Sequence, residues 1–308
     1  MSQRPPHPRS AVLLLAHGTV QHVDELPEFV RVIRRGVPAP DGLLEELRER
    51  YEHIGGSPLL EISRAQGRAL QEALGLPCHV AMRLWHPLIE DIASDLAGLD
   101  RICVIPLAPF SVHVYRAAAE ASFERLPAAP ERLYAEPWGE EPALVDAHVR
   151  AIQAAVPSLE GHEIVLTAHS LPLAALRQGD PYCVQFEACA RAVERALGRR
   201  CHIVYQSQGA GGGEWLGPGI EETLVSLAEV GAERVVIAPI GFLADHVETL
   251  YDLDVAAMEQ ARCLGLELVR VPALNVAPDF IEVLSAIARR TLGCADPGPQ
   301  ERDEVTPA

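Results

Sequence analysis

Two short stretches of this chain end in the same way. Residues 11–19 read AVLLLAHGT and residues 163–171 read EIVLTAHSL. Each is an apolar run too short for a buried helix, which marks a strand covered on both faces. Each delivers a histidine, His17 or His169, where the run stops, and each opens one half of the chain. Further strand-like runs lie at 78–84, 101–107, 131–135, 201–206, 233–239 and 266–271. Between them, segments such as 41–54 (DGLLEELRERYEHI) and 142–156 (PALVDAHVRAIQAAV) space their apolar residues three and four apart, as a helix requires. Strands alternating with helices need crossover connections, and these produce parallel sheets flanked by helices. The expected fold is α/β, with two similar Rossmann-like lobes at 1–150 and 151–293 and a cleft between them. Residues 294–308, CADPGPQERDEVTPA, are rich in proline and charge and are expected to form a disordered tail.

In open parallel sheets, ligands bind beyond the carboxyl ends of the strands. His17 and His169 are both expected there, where facing lobes would let them line one cleft. Taken singly, each also fits a loop histidine bonded to nearby backbone. A second stretch, VVIAPIGFLADHVETLYDLD at 235–254, leaves a strand at Ala238-Pro239 and turns through Gly241. Asp245 is placed to cap the helix that follows. Glu248 and Asp252 then fall at i and i+4 on one face, with no basic residue between them and with Asp254 off that face. Exposed, such a pair costs about 0.2–0.5 kcal/mol. Buried, it raises a pKa or demands a cation, and oxygen ligands so placed suit a divalent metal. Spacing alone leaves a solvated acidic face and a metal path both open.

Other classes are disfavoured. A formal net charge of −17 repels nucleic acid. No apolar run approaches the roughly 20 residues of a spanning helix, and no signal-peptide pattern follows MSQRPPHPRS, so a cytoplasmic protein is expected. Seven cysteines (78, 103, 183, 189, 201, 263 and 294) include no CxxC pair. They fit reduced thiols, and the spacing of Cys183, Cys189 and Cys201 is too loose for usual iron–sulfur ligation. There is no GxSxG elbow. The loop QGAGGGEW at 208–215 is neither a phosphate loop nor a dinucleotide fingerprint, and is expected to be a flexible connection. Arg34 and Arg35, in RVIRRG at 31–36, fit either a charged helix end or a clamp for ligand carboxylates. His86, His113 and His246 are expected to be structural.

Taken together, the blocks AHGT (16–19), RRG (34–36), RYEHIGGSPL (50–59), TAHSLP (167–172), DPY (180–182), YQSQ (205–208), EWLGP (214–218) and PIGFLADHVETLYDLD (239–254) resemble ferrochelatases. These enzymes are lyases that insert ferrous iron into a porphyrin late in haem synthesis. The blocks follow the family order over nearly the whole chain. The resemblance implies a chelatase-like pair of lobes with the porphyrin between them. It places the family's key histidine at His169 and its key acid at Glu248, both implicated in metal binding and in removal of the pyrrole protons, with Asp252 next on the metal side. Porphyrin contacts would fall to His17, Arg34, Arg35, Arg50, Ser57, Ser111, Tyr115 and Trp215.

Some positions depart from the family. His17 stands where some relatives carry a tyrosine that reaches the iron of bound product, so His17 is a further candidate iron ligand. The acidic ladder stops at Ala256. The segment 107–120, which forms part of the porphyrin mouth with Ser111 and Tyr115, is shorter than in relatives. The C-terminus lacks the cysteine trio that holds a [2Fe–2S] cluster in some members, so no resident cofactor is expected and Fe²⁺ is a substrate. The RRG, RYEHIGGSPL and LAPFSV segments favour coproporphyrin III over protoporphyrin IX. Extra propionates would want donors such as Arg34, Arg35, Arg50 and Ser57. The alternatives are a chelatase for another tetrapyrrole such as sirohydrochlorin, or a non-catalytic porphyrin or haem carrier. Peripheral contact with a membrane or another enzyme of haem synthesis, and monomer versus dimer, stay open.

Overall fold

The computed structural model describes residues 9–209 and 213–294. Most of the expected tail, and residues 210–212 of the glycine-rich loop, lie outside the described residues. The strands are β1 (Ser10–Ala16), β2 (Cys78–Met82), β3 (Arg101–Pro106), β4 (Glu131–Tyr134), β5 (His162–His169), β6 (Cys201–Gln206), β7 (Arg234–Ala238) and β8 (Glu267–Arg270). Each coincides with one of the expected runs to within a few residues. They form two parallel four-stranded sheets, ordered β2-β1-β3-β4 and β6-β5-β7-β8. The order is the same in both, so the repeat seen in AVLLLAHGT and EIVLTAHSL is a repeat of topology.

In the first half the helices are α1 (Leu26–Ile33), α2 (Leu43–His53), α3 (Leu59–Leu74), α4 (Ala93–Leu96) and α5 (Val112–Phe123). Helix α6 (Pro142–Ala155) connects to the second half, which holds α7 (Leu173–Arg177), α8 (Tyr182–Leu197), α9 (Ile220–Glu229), α10 (Val247–Leu250), α11 (Met258–Leu264) and α12 (Pro278–Leu292). A π-helical turn, Asp252–Ala257, joins α10 to α11.

Side chains alternate across each strand, and both faces are buried. On β1, Val12 and Leu14 pack with Cys103 and Ile105, while Leu13 and Leu15 pack with Val104, Ala119 and Phe123 on the α5 side. On β5, Ile164 and Leu166 meet Phe186 and Val193 of α8, while Val165 meets Leu224 of α9 and Leu253. Each such aliphatic side chain contributes roughly 1.5–3 kcal/mol on burial.

The helices do not divide as cleanly as the sheets. The expected division at 150 falls inside α6, whose Leu144 and Ala147 join the first core and whose Val145 and Ile152 join the second. The last helix, α12, returns to the first lobe, where Phe280, Leu284 and Ile287 cover Val12, Leu14, Cys103 and Ile105. Phe110, just beyond β3, reaches the other way. Its ring meets Tyr182 and Phe186 edge-on at 6.3 and 5.7 Å. Residue 139 must be glycine for this to happen, since a Cβ there would lie 2.1 Å from the Phe110 ring.

His148 of α6 is 4% exposed, and its Nε2 meets no partner among the described residues. It lines a small cavity with Ala238, Pro239 and Ile240, at the turn that leads to the acidic helix. Burial pushes its pKa down from 6.5 to about 4, against a smaller opposing pull from Asp279. The folded state holds this imidazole neutral, whereas the unfolded chain protonates it below about pH 6.5. Its contribution to stability is therefore full above pH 6.5 and is lost as pH falls towards 4, by up to about 3 kcal/mol. Urea unfolding of wild type and His148→Gln at pH 7.5 and pH 5 should show the wild-type advantage shrinking at pH 5. A pH-independent difference would contradict this account.

Candidate active site

The carboxyl ends of four strands converge on one cleft. β1 is followed by His17, β2 by Arg83, and β5 and β6 end on His169 and Gln206. His17 and His169 follow Ala16 and Ala168 at equivalent places in the two sheets. The main chain beside each is held closely. Gly18 has φ +117°, and a Cβ there would lie 2.8 Å from the Trp85 nitrogen. At Gly241 a Cβ would lie 2.3 Å from that of Ala168, because the Gly241 N–H donates to the Thr167 carbonyl at 2.9 Å. The turn through Gly241 thus lies flush against the strand that carries His169.

The acidic helix supplies the facing groups. His169 Nε2 lies 3.9 Å from one Glu248 oxygen, and His246 Nε2 lies 3.5 Å from the other. His169 Nδ1 donates to the Gln206 carbonyl at 3.3 Å, and His246 Nδ1 to the Ala244 carbonyl at 3.2 Å. A carbonyl only accepts, so both Nδ1 atoms carry protons and both Nε2 atoms are bare in the neutral rings. Gln206 ties the parts together. Its amide donates to the Glu248 carbonyl at 3.1 Å and its oxygen accepts from Thr167 at 2.7 Å. Tyr182 Oη donates to the His169 carbonyl at 3.0 Å.

On the opposite wall, His17 Nδ1 is 3.1 Å from Tyr115 Oη, and the Arg83 guanidinium lies 5.0 Å from the centre of the Tyr115 ring. The His17 side chain is exposed at its surface, yet protein packs closely around it. That enclosure, reinforced by the Arg83 cation and opposed by Glu248, pushes its pKa down to about 3. Burial alone would raise the Glu248 carboxyl. His169, His246 and His17 overcome that and bring it down to about 2. His17, His169, His246 and Glu248 thus share one electrostatic environment. Among the described residues, no three His, Cys, Asp or Glu side chains form a ready-made metal cage.

Several expectations need correction. Asp245 does not cap the acidic helix, because His246 is the N-cap. The Asp245 carboxylate turns inward to Arg270 at 2.8 Å and Asn275 at 2.7 Å. Asp252 is not without a basic partner. Arg50 of the first lobe reaches it at 3.2 Å, and Ser207 donates to its other oxygen. Burial still raises the Asp252 pKa, as does Glu248, with Ser207 and Arg50 opposing them. Asp254 lies off the face, as expected, and binds Arg270 at 2.6 Å. His246, expected to be structural, faces Glu248. Tyr115 does not line an open mouth. It is 6% exposed and packs in the first-lobe core.

The remaining candidates lie around the cleft rather than at its centre. Arg34 donates to the carbonyls of Val37 and Pro38 at 3.3 and 3.1 Å, and Arg35 is exposed with φ 52°. Both stand at the end of α1, apart from the histidines. Arg50 Nε and Ser57 Oγ are buried donors with no partner among the described residues. Ser111 begins α5 without a side-chain cap bond. Trp215 is half-buried and bridges to Pro172. Sequence reasoning missed Arg83, Gln206 and Ser207, although the strand-end rule that singled out His17 applies to them equally.

Comparison with known proteins agrees with this geometry. The family model described as Ferrochelatase matches residues 9–292. A ferrochelatase of Acidobacterium capsulatum is 37% identical, covering 92% of this chain and 95% of the relative. One of Thermus thermophilus is 37% identical over 89% and 96%. The coproporphyrin III ferrochelatase of Geobacillus kaustophilus is 33% identical over 90% and 94%. Among solved structures, SirB from Bacillus subtilis with Fe³⁺ shares the fold at TM-score 0.60 and 13% identity, covering 92% of this chain and 98% of that one. No helix among the described residues is long and apolar enough to cross a membrane. The chain belongs to the ferrochelatase family, the enzymes that insert ferrous iron into a porphyrin in haem biosynthesis.

Proposed function

We propose that this enzyme inserts Fe²⁺ into coproporphyrin III, with His169 accepting pyrrole protons and contacting the metal, and Glu248 receiving and positioning Fe²⁺. The observation that carries this reading is that the Nε2 atoms of His169 and His246 both face the Glu248 carboxylate, at 3.9 and 3.5 Å. Metal insertion must strip the inner N–H protons from the ring. A proton taken by either imidazole is stabilised at once by the carboxylate between them. The same carboxylate is a hard oxygen ligand for the incoming cation. Asp252 extends the acidic path by one turn, where Fe²⁺ would exchange with Arg50. A flat ring hides its nitrogen lone pairs, so gripping it between two lobes in a bent shape would expose them, with strain drawn from binding energy. No resident cofactor is required.

The preference for coproporphyrin III rests on donors that could hold additional carboxylates. Arg50 Nε and Ser57 Oγ lack partners among the described residues, and Arg34 and Arg35 stand at the end of α1. Ser111 and Trp215 complete the expected contacts. The name of the Geobacillus relative supports the same choice. Anaerobic assays with Fe²⁺ should metallate coproporphyrin III with a kcat/KM about tenfold above that for protoporphyrin IX, equivalent to about 1.4 kcal/mol of discrimination. Equal rates, or metallation of sirohydrochlorin instead, would reject this substrate.

A further inference from the structure

We infer that Tyr115 is a positioning residue that holds His17 in its Nε2–H tautomer, so that His17 meets the porphyrin as a hydrogen-bond donor and cannot capture the iron of the product. The inference rests on the proposed placement of the ring between His17 and His169.

One buried hydroxyl sets the tautomer of His17. Tyr115 is 6% exposed and sits among Leu13, Leu15 and Val104. Its polar neighbours among the described residues are His17 Nδ1 at 3.1 Å and Arg83, which lies over its ring and donates towards its hydroxyl. Arginine has donors only. The proton of the hydroxyl therefore has one acceptor, His17 Nδ1, and leaving it unmade would cost the desolvation of a buried polar group. An Nδ1 that accepts has no proton of its own, so a neutral His17 carries its proton on Nε2. Although the side chain is exposed, the protein packed around it and the Arg83 cation disfavour a second proton on the ring.

His169 has the opposite arrangement. Its Nδ1 donates to the Gln206 carbonyl at 3.3 Å, which leaves Nε2 bare. The two histidines occupy equivalent strand ends, yet one offers a lone pair and the other an N–H. A free-base porphyrin has inner nitrogens of both kinds, protonated and bare. His169 suits the first kind as a proton acceptor, and His17 suits the second as a donor. After insertion every inner nitrogen is bound to iron. A bare imidazole Nε2 would then be a strong axial ligand, of the sort that retains haem in haem proteins. A protonated Nε2 has no lone pair to give, and His169, once it holds a pyrrole proton, has none either, so the product can leave. On this account His17 orients the substrate and is not an iron ligand.

The first test needs no variant. Nitrogen-15 NMR of the ligand-free protein with labelled histidine, assigned with His17→Ala, should show His17 protonated at Nε2 and bare at Nδ1. The reverse pattern would overturn the inference, and this readout does not depend on which ring is the substrate. In Tyr115→Phe the packing ring is kept but the hydroxyl proton is lost. His17 should then shift towards the Nδ1–H form. The iron porphyrin product bound to this variant should gain the optical signature of an imidazole-ligated iron, and Tyr115→Phe/His17→Ala should lack it. Multiple-turnover kcat of Tyr115→Phe should fall about tenfold further than its single-turnover rate, because release becomes limiting. An imidazole signature already present in wild type and lost in His17→Ala would also overturn the inference. Failure of the protein to metallate any porphyrin, with the NMR pattern as expected, would instead reject the functional reading beneath it.

Discussion

His169→Ala is expected to lower iron insertion about a thousandfold, within the range that a positioned general base supplies, while porphyrin affinity changes only a few fold. Removing the side chain forfeits one bond, from Nδ1 to the Gln206 carbonyl, and leaves the main chain in place. Strand pairing of β5 with β6 and β7 uses main-chain groups, and Tyr182 bonds to the His169 carbonyl, not to the ring. The lost group is therefore the bare Nε2 that faces Glu248. Rapid mixing of the variant with Fe²⁺ and porphyrin, beside equilibrium titration of porphyrin alone, separates the two quantities. Near wild-type insertion would remove His169 from its proposed role. Loss of porphyrin binding in parallel with activity would make it a binding residue instead.

Glu248→Gln should cut insertion by about 10²-fold or more and raise the Fe²⁺ concentration needed for half-maximal rate. The substitution keeps the shape and removes the charge that stabilises protons on His169 and His246. It also removes the oxygen ligand for the metal. The main-chain anchor of the helix survives, because Gln206 bonds to the carbonyl of residue 248. Steady-state rates over a range of Fe²⁺ at saturating porphyrin provide the check. An unchanged Fe²⁺ dependence with a normal rate would exclude Glu248 from metal delivery.

Much of the fold could be read in advance because it rests on local patterns. Eight apolar runs became eight strands, since burial on both faces leaves near-continuous hydrophobic segments. The histidines at 17 and 169 were found by where those runs stop. What escaped notice depends on groups far apart in the chain. Arg50 and Asp252 are 202 residues apart, so the partner that the other lobe supplies to Asp252 leaves no local trace in the sequence. Asp245 looked like a helix cap, yet Arg270 and Asn275 draw its carboxylate inward. Family position places Tyr115 at the porphyrin mouth, but helical periodicity along α5 buries it with Ala119 and Phe123. His246 reads as a lone histidine in the sequence, although as the N-cap residue it lies beside the first turn that carries Glu248.

The return of α12 to the first sheet ties the order of synthesis to the order of folding. A nascent chain that has emerged only as far as β4 has both ends of its first sheet in place, but the face carrying Val12, Leu14, Cys103 and Ile105 still awaits Phe280, Leu284 and Ile287. Those partners are separated by the whole of the second lobe, and contacts so distant in sequence form late. The wall that presents His17 therefore cannot be completed until the last helix has been made, although it is translated first.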